Sequence, residues 1–311
     1  MNQGKYVFSQ LVKFLPQRVF DRITSNYSGN KSVKHFTCWN QLLCMIFGQL
    51  SARESLRDLT TTIEAHQSKS YHLGFGKNIT RSNLSKANEK RNYKIFEEFA
   101  NHLITIAQRK NSNDTFDIKG NIYAFDSSTI DLCLSVFCWA HFRKTKAGIK
   151  LHTLFDVNTQ IPVFIHITKA NIHDVNAMDV IDYEPLAYYI FDRAYVDYQR
   201  LYRITKAKAY FVVRAKSNIK FKRMYSNKVD KTTGIKYDQI GKIEGFYTSK
   251  DYPKRLRKVK FVDSENGKKL VFLTNNFELS AQDIALLYKQ RWQVELFFKW
   301  IKQHLKVKTF W

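Results

Sequence analysis

The sequence predicts a mixed α/β chain. Residues 1–115 read as helical. Residues 116–311 read as a core on a mixed sheet, with a β-rich insertion at 215–275. Three observations predict this. Trp39, Leu42, Leu43, Ile46 and Phe47 recur at the 3.6-residue helical period. Two short apolar runs, Ile122-Tyr123-Ala124-Phe125 and Tyr188-Tyr189-Ile190-Phe191, have the length and aromatic content of buried strands, and each is followed by Asp. From residue 120 the pattern then reads three strands, helix, strand, helix, strand.

Taken in order, Ser9 to Phe20 forms a helix interrupted by Pro16, with a loop at Ser28-Gly29-Asn30. Residues 38–66 are helical, and Leu73-Gly74-Phe75-Gly76 is a turn. Thr80 caps a polar, basic helix whose Arg81, Lys86, Lys90 and Arg91 recur near helical spacing. In a helix–turn–helix arrangement such a helix enters the major groove of DNA; an ordinary surface helix of a bundle is the alternative. Tyr93 to Gln108 is amphipathic, and Asn111-Ser112-Asn113-Asp114 is a linker. The core opens with strands at 121–134, 149–157 and 161–169, a meander with turns at Lys146-Ala147-Gly148 and Asn158-Thr159. A helix from His173 to Tyr183, a strand at 187–192, a helix at 195–206 and a strand at 209–214 follow. This is the element order of a ribonuclease-H-like core. Its first and fourth strands are adjacent, which pairs Asp126 with Asp192. In residues 215–275 Val, Ile, Tyr and Phe alternate with Lys, with turns at Gly234, Gly241 and Gly267, before a final helix.

The composition narrows the partners. Hydrophobic residues make up 44% and aromatics 15% of 311 residues, which suits a folded chain. Lys and Arg number 51 against 27 acids, a formal net charge of +24. The excess is uneven: +9 over residues 1–115, +2 over 116–214, +10 over 215–260 and +3 over 261–311. A nearly neutral core between two basic regions is the electrostatic footprint of a protein that grips nucleic-acid phosphates. No apolar run approaches the 18 or so residues of a membrane span, and the N-terminus lacks a signal pattern; a cytoplasmic, nucleoid-associated protein with no membrane partner is expected. Cys38, Cys44, Cys133 and Cys138 lack zinc-ligand spacing and read as buried thiols.

The final helix carries Tyr288, Arg291, Glu295 and Lys302. At about 100° per residue these fall within roughly 60° of one face. Leu287, Val294, Phe298, Ile301 and Leu305 form a neighbouring apolar stripe. The arrangement sets a Glu against the protein body, with cations ready for an anion: Arg291 through its planar fork, Lys302 as a point charge. Asp126, Asp192 and Glu295 together could hold two Mg²⁺ or Mn²⁺ ions roughly 3.5–4 Å apart, as phosphoryl displacement uses them. The plainer readings are an Asp that shapes a turn or caps a helix, and a solvated Glu. Arg193 could neutralise Asp192 or reach a nucleic-acid backbone. Trp292 and Trp300 are core fillers or stacking partners for bases.

These residues resemble the DDE transposases of bacterial insertion sequences. More narrowly they resemble the branch with the Y-R-E-K signature, insertion-sequence family four. Gly148-Ile149-Lys150-Leu151-His152, Ala170-Asn171-Ile172-His173-Asp174 and Asp192-Arg193-Ala194-Tyr195 support the match over residues 120–311. The resemblance implies an RNase-H-like catalytic domain with Asp126, Asp192 and Glu295 as metal ligands, and phosphate contacts from Tyr288, Arg291 and Lys302. It also implies double-stranded DNA partners, both terminal inverted repeats and target, bound by a homodimer. In this branch an aromatic residue of the insertion holds a flipped base. Residues 215–275 contain no Trp, leaving Phe221, Tyr225, Tyr237, Phe246, Tyr247 and Tyr252. Relatives of the branch run through a further helix, whereas Lys302 is followed here by nine residues. The resemblance therefore also raises a C-terminally short, inactive copy acting as a competitor or repressor; a structure-selective nuclease is a third option.

Overall fold

The computed structural model describes residues 6–305, apart from 71, 78, 111–117, 133–140, 144–145 and 265–266. The linker at Asn111–Asp114 and the thiols Cys133 and Cys138 lie outside the described residues. The chain divides into two compact units, residues 1–110 with 299–311, and residues 111–298.

The first unit contains seven helices among its described N-terminal residues: α1 (Val7–Val12), α2 (Gln17–Asn26), α3 (Cys38–Leu50), α4 (Leu56–Ala65), α5 (Gln67–Ser70), α6 (Arg81–Lys90) and α7 (Lys94–Lys110). Pro16 does more than interrupt one helix. It stands at the N-cap of α2 and separates two helices, because it cannot donate a helical hydrogen bond. The hydroxyls of Thr37, Ser55 and Thr80 cap α3, α4 and α6 by accepting from Asn40, Asp58 and Asn83 N–H groups. Phe20, Leu43, Leu59, Leu84 and Ile95 are fully buried at the centre, and the Cys38 and Cys44 thiols are buried with them. Burial pushes the Cys44 thiol up to about 12, which leaves it unreactive.

The second unit is one ten-stranded sheet. Its strands are β1 (Ile122–Leu132), β2 (His141–Arg143), β3 (Lys146–Asp156), β4 (Ile161–Lys169), β5 (Tyr188–Phe191), β6 (Tyr210–Arg214), β7 (Phe221–Asn227), β8 (Ile235–Ile243), β9 (Leu256–Val262) and β10 (Lys269–Thr274). β1, β3 and β4 form the expected antiparallel meander, and β5 joins β1 in parallel. The order β4-β3-β1-β5-β6 is that of a ribonuclease-H-like sheet. Beyond it lie the strands of the β-rich insertion. β10 pairs antiparallel with β6, and β9, β8 and β7 follow, so the insertion extends the core sheet. Gly241 is not a turn. It lies inside β8 opposite the bulge in β7, where an added Cβ would collide with the Lys222 carbonyl oxygen.

The connections are also tighter than expected. The segment after β4 is a 3₁₀ helix, Asp174–Val180. A short 3₁₀ turn (Arg193–Tyr195) precedes α8 (Tyr198–Lys206), which Asp197 caps by accepting from Arg200 N–H at 3.0 Å. α9 (Thr248–Asp251) follows β8, and α10 (Ala281–Lys289) and α11 (Trp292–His304) close the chain. Tyr189, Phe191, Phe211, Leu201, Ile204 and Leu273 lie in the core against one sheet face.

Candidate active site

The parallel pairing of β1 with β5 ends at Phe125 opposite Phe191. Asp126 and Asp192 are the next residues on these two neighbouring strands, which run about 4.8 Å apart. The four residues before each Asp are buried, as a parallel strand covered on both faces requires. Asp126 lies inside its strand, which the sequence pattern extends over 121–134. β1 continues to Leu132 because β3 still pairs with it, so Asp126 sits where β5 leaves the sheet. Asp192 makes no side-chain capping bond; Asp197 performs that task for α8.

Tyr288 on α10 and Arg291 in the turn before α11 reach these acids, and Arg291 also holds Glu295 of α11. α10 begins with a capping box, Ser280 with Asp283. The final helix is not continuous. At Gln290–Arg291 the backbone makes i→i−3 bonds, Arg291 N–H to Tyr288 O at 3.1 Å and Val294 N–H to Arg291 O at 3.3 Å. A 3₁₀ step turns each residue about 120°, so the face expected at 100° per residue shifts past this point. Leu287, Val294, Phe298 and Ile301 are nonetheless buried. The Tyr288 hydroxyl donates to Asp192 Oδ1 at 3.4 Å. Arg291 Nη1 donates to Asp126 Oδ2 at 2.8 Å and Nη2 to Glu295 Oε1 at 2.5 Å. Lys302 is exposed in the last turn of α11.

Burial raises the Asp126 carboxyl to about 6, and the charges of Asp192 and Glu295 push the same way; the Ser127 N–H and Arg291 pull against them. The folded chain thus holds this proton more tightly than the unfolded chain does. The cost of the charged form applies above about pH 6 and fades as pH falls to about 4. Without divalent cations the parent is therefore expected to lose stability relative to Asp126→Asn as pH rises from about 4 to about 6. Urea unfolding of both chains at pH 4 and pH 7 measures that change.

A second network supports Asp126 through its neighbour. Ser127 N–H donates to Asp126 Oδ1 at 2.8 Å, and Ser127 Oγ donates to Asp174 Oδ1, also at 2.8 Å. Lys150 Nζ stands 3.1 Å from Asp174 Oδ1 and donates to the Ile172 carbonyl at 2.7 Å. The sequence singles out both contributing segments without a role for Asp174 or Lys150. Their meeting depends on how the turn after β4 folds back, which spacing does not reveal. Beside them, burial pushes the His152 imidazole down to about 4, so it is neutral; it shares a 2.9 Å hydrogen bond with Thr168 Oγ1.

Residues 118–310 match the family model described as the transposase DDE domain. The chain belongs to the transposase DDE domain family. Residues 3–76 match a second model, described only as a domain of unknown function. A Sinorhizobium fredii protein provisionally named transposase y4zB is 33% identical over 231 residues, 73% of this chain and 63% of that protein. The probable transposase for insertion sequence element IS5377 of Geobacillus stearothermophilus is 34% identical over 196 residues, 59% of this chain and 48% of the relative. A Synechocystis protein provisionally named as the transposase for insertion sequence element IS4SA is 26% identical over 243 residues, 75% and 64% of the two chains. The chain thus spans about half to two thirds of the length of the curated relatives it matches.

In this transposase DDE domain the acids supply only oxygen donors, which suits a hard divalent cation. Among the described residues no three Asp, Glu, His or Cys are grouped as a metal site, and the Arg291 guanidinium holds two of the three acids. The donor chemistry fits the cation; the resting arrangement is one in which Arg291 stands against it.

The remaining sequence candidates divide. Arg193 is exposed and makes no ion pair with Asp192 among the described residues. Trp292 and Trp300 are 59% and 54% exposed, so they are not core fillers. Of the insertion aromatics, Tyr252 is buried, with its hydroxyl 2.8 Å from Thr205 Oγ1, and belongs to the core, whereas Tyr225, Phe246 and Tyr247 are exposed. In the helical unit Arg81, Lys86 and Lys90 are exposed along α6. Arg91 is not a surface cation. Its guanidinium donates to the carbonyls of Thr37 (2.9 Å) and Phe36 and to Gln41 Oε1 (2.9 Å), clamping the start of α3. Arg91→Ala is expected to cost about 1.5–3 kcal/mol, the scale of hydrogen bonds from a charged donor. Thermal melting measures it, and Lys86→Ala, which leaves a solvated face, should move the midpoint hardly at all.

No helix among the described residues is long and apolar enough to cross a membrane.

Proposed function

We propose that this chain is a DNA transposase of insertion-sequence type, cleaving DNA at the element's ends and joining it to target DNA. One observation carries the reading. β1 and β5 run in parallel up to Asp126 and Asp192, and Arg291 joins Asp126 to Glu295, which supports reading the three acids as one site beside a guanidinium suited to phosphate. The basic excess on either side of the core in sequence supports a polyanionic substrate. The charge for the in-line displacement would come from a bound pair of Mg²⁺ or Mn²⁺ ions, held by the three carboxylates.

The chain's own residues do the rest. Tyr288 and Arg291 fix the scissile phosphate against the acids, and Lys302, exposed on the same helix, offers a further phosphate contact. Ser127, Asp174 and Lys150 hold the backbone at Asp126. Arg81, Lys86 and Lys90 grip duplex phosphates in the helical region. Two copies acting on paired ends, beside the bacterial chromosome, complete the proposal.

Purified chain is mixed with duplex carrying the element's flanking repeats, with Mg²⁺ or with EDTA. Metal-dependent nicking followed by joining is expected. Specific binding without cleavage in Mg²⁺ would instead mark a competitor that holds element ends; cleavage without joining of a pre-cut end would mark a nuclease.

A further inference from the structure

Arg291 contacts both Asp126 and Glu295, and it is 16% exposed. Its Nη1 and Nη2 are committed to those carboxylates at 2.8 and 2.5 Å, and its Nε is buried without a hydrogen-bond partner among the described residues. A guanidinium carries five N–H donors, and the two acids engage both of its Nη nitrogens. A phosphate that takes those two nitrogens in one bidentate contact competes with the acids for them. Conversely, a divalent cation approaching the acids meets a fixed positive charge in contact with them. Arg291 lies in the short turn between α10 and α11, which i→i−3 bonds hold.

We propose that Arg291 is the built-in counter-cation of the carboxylate site, and that duplex DNA draws it onto phosphate, so that DNA and divalent cation bind cooperatively. The inference rests on reading Asp126, Asp192 and Glu295 as cation ligands. Each acid that loses the guanidinium regains a lone pair for a cation, and the repulsion leaves with it. Linkage makes the effect mutual: DNA tightens the cation, and the cation tightens DNA, by the same factor. The site therefore stays cation-poor until substrate arrives, which limits hydrolysis at the wrong time.

The test is Mn²⁺ binding to the purified chain, read from the paramagnetic resonance of free Mn²⁺, with and without a blunt-ended duplex. In the parent chain, duplex should tighten Mn²⁺ roughly tenfold, within the usual 5–150-fold range of coupling. Arg291→Gln should bind Mn²⁺ about tenfold more tightly without DNA, and duplex should add little. Arg291→Lys serves if the Gln variant melts below the assay temperature. It keeps the charge but cannot fork to both acids, so its DNA-free Mn²⁺ affinity should exceed the parent's. A DNA-free affinity equal to the parent's in the folded variant, or coupling that survives Arg291→Gln, overturns the proposal. Asp126→Asn and Glu295→Gln separate it from the reading beneath it. If they abolish Mn²⁺ binding while Arg291→Gln changes nothing, only the counter-cation falls. If they leave Mn²⁺ binding unchanged, the assignment of the ligands itself fails.

Discussion

Glu295→Gln is expected to lower DNA cleavage by about a hundred- to a thousandfold, the loss that follows removal of one well-placed electrostatic contact. The change keeps the shape and removes a charge. Glu295 stands in the first turn of α11, whose Val294 and Phe298 anchor it in the core. The helix therefore has no reason to move, and DNA affinity and its salt dependence should persist. Asp192→Asn should do the same, with Tyr288 left facing an amide. Single-turnover cleavage of a repeat-bearing duplex, beside a filter-binding isotherm at two salt concentrations, separates chemistry from binding. Cleavage within tenfold of the parent would place the reaction elsewhere.

The second large effect concerns stability. Arg257 and Asp238 are each 4% exposed, and form a bidentate pair at 2.9 and 2.8 Å. Arg257 Nη1 also donates to the Leu279 carbonyl at 2.6 Å, just ahead of α10. A single residue thus ties β8 and β9 to the segment that launches the helix with Tyr288. Arg257→Ala strands a buried carboxylate and takes the donor from the Leu279 carbonyl, and is expected to cost about 3–5 kcal/mol. Asp238→Ala should cost about as much by stranding the guanidinium. The double variant Asp238→Leu with Arg257→Met should recover most of the loss, since both charges leave together; the Leu279 carbonyl keeps a residual cost of about 1–3 kcal/mol. Urea unfolding with an unchanged slope checks all three. A single-variant cost under about 1 kcal/mol would mean that water reaches the pair.

The parts legible in the sequence are those that local pattern controls. An apolar run of strand length followed by Asp can be read at Asp126 and Asp192, and the strand order then makes them neighbours. The buried stripe of the last helix is legible for the same reason. The break at Gln290–Arg291 is not, since neither residue is a poor helix former and only tertiary packing favours a 3₁₀ step there. Arg91 looks like any basic surface residue in sequence; its role depends on carbonyls more than fifty positions away. The Arg257–Asp238 pair, the meeting of Lys150 with Asp174, and the continuation of the sheet through β10 depend likewise on long-range pairing. The chemistry of Arg291 marks it as a phosphate ligand, yet its position between two acids emerges only once both strands and the turn are in place.

The junction of β6 with β10 also sets an order of assembly during synthesis. β6 ends at Arg214, and its outer neighbour begins at Lys269, after the whole insertion. While the ribosome works through residues 215–268, β6 has an open edge, and its Phe211, Val212 and Val213 are apolar. The nascent chain must be kept from pairing with other chains over that interval. Asp126 and Asp192 can meet early, but Glu295 arrives only after the edge has closed. A chain released before then carries two acids without the third, so it could cling to DNA without cutting it.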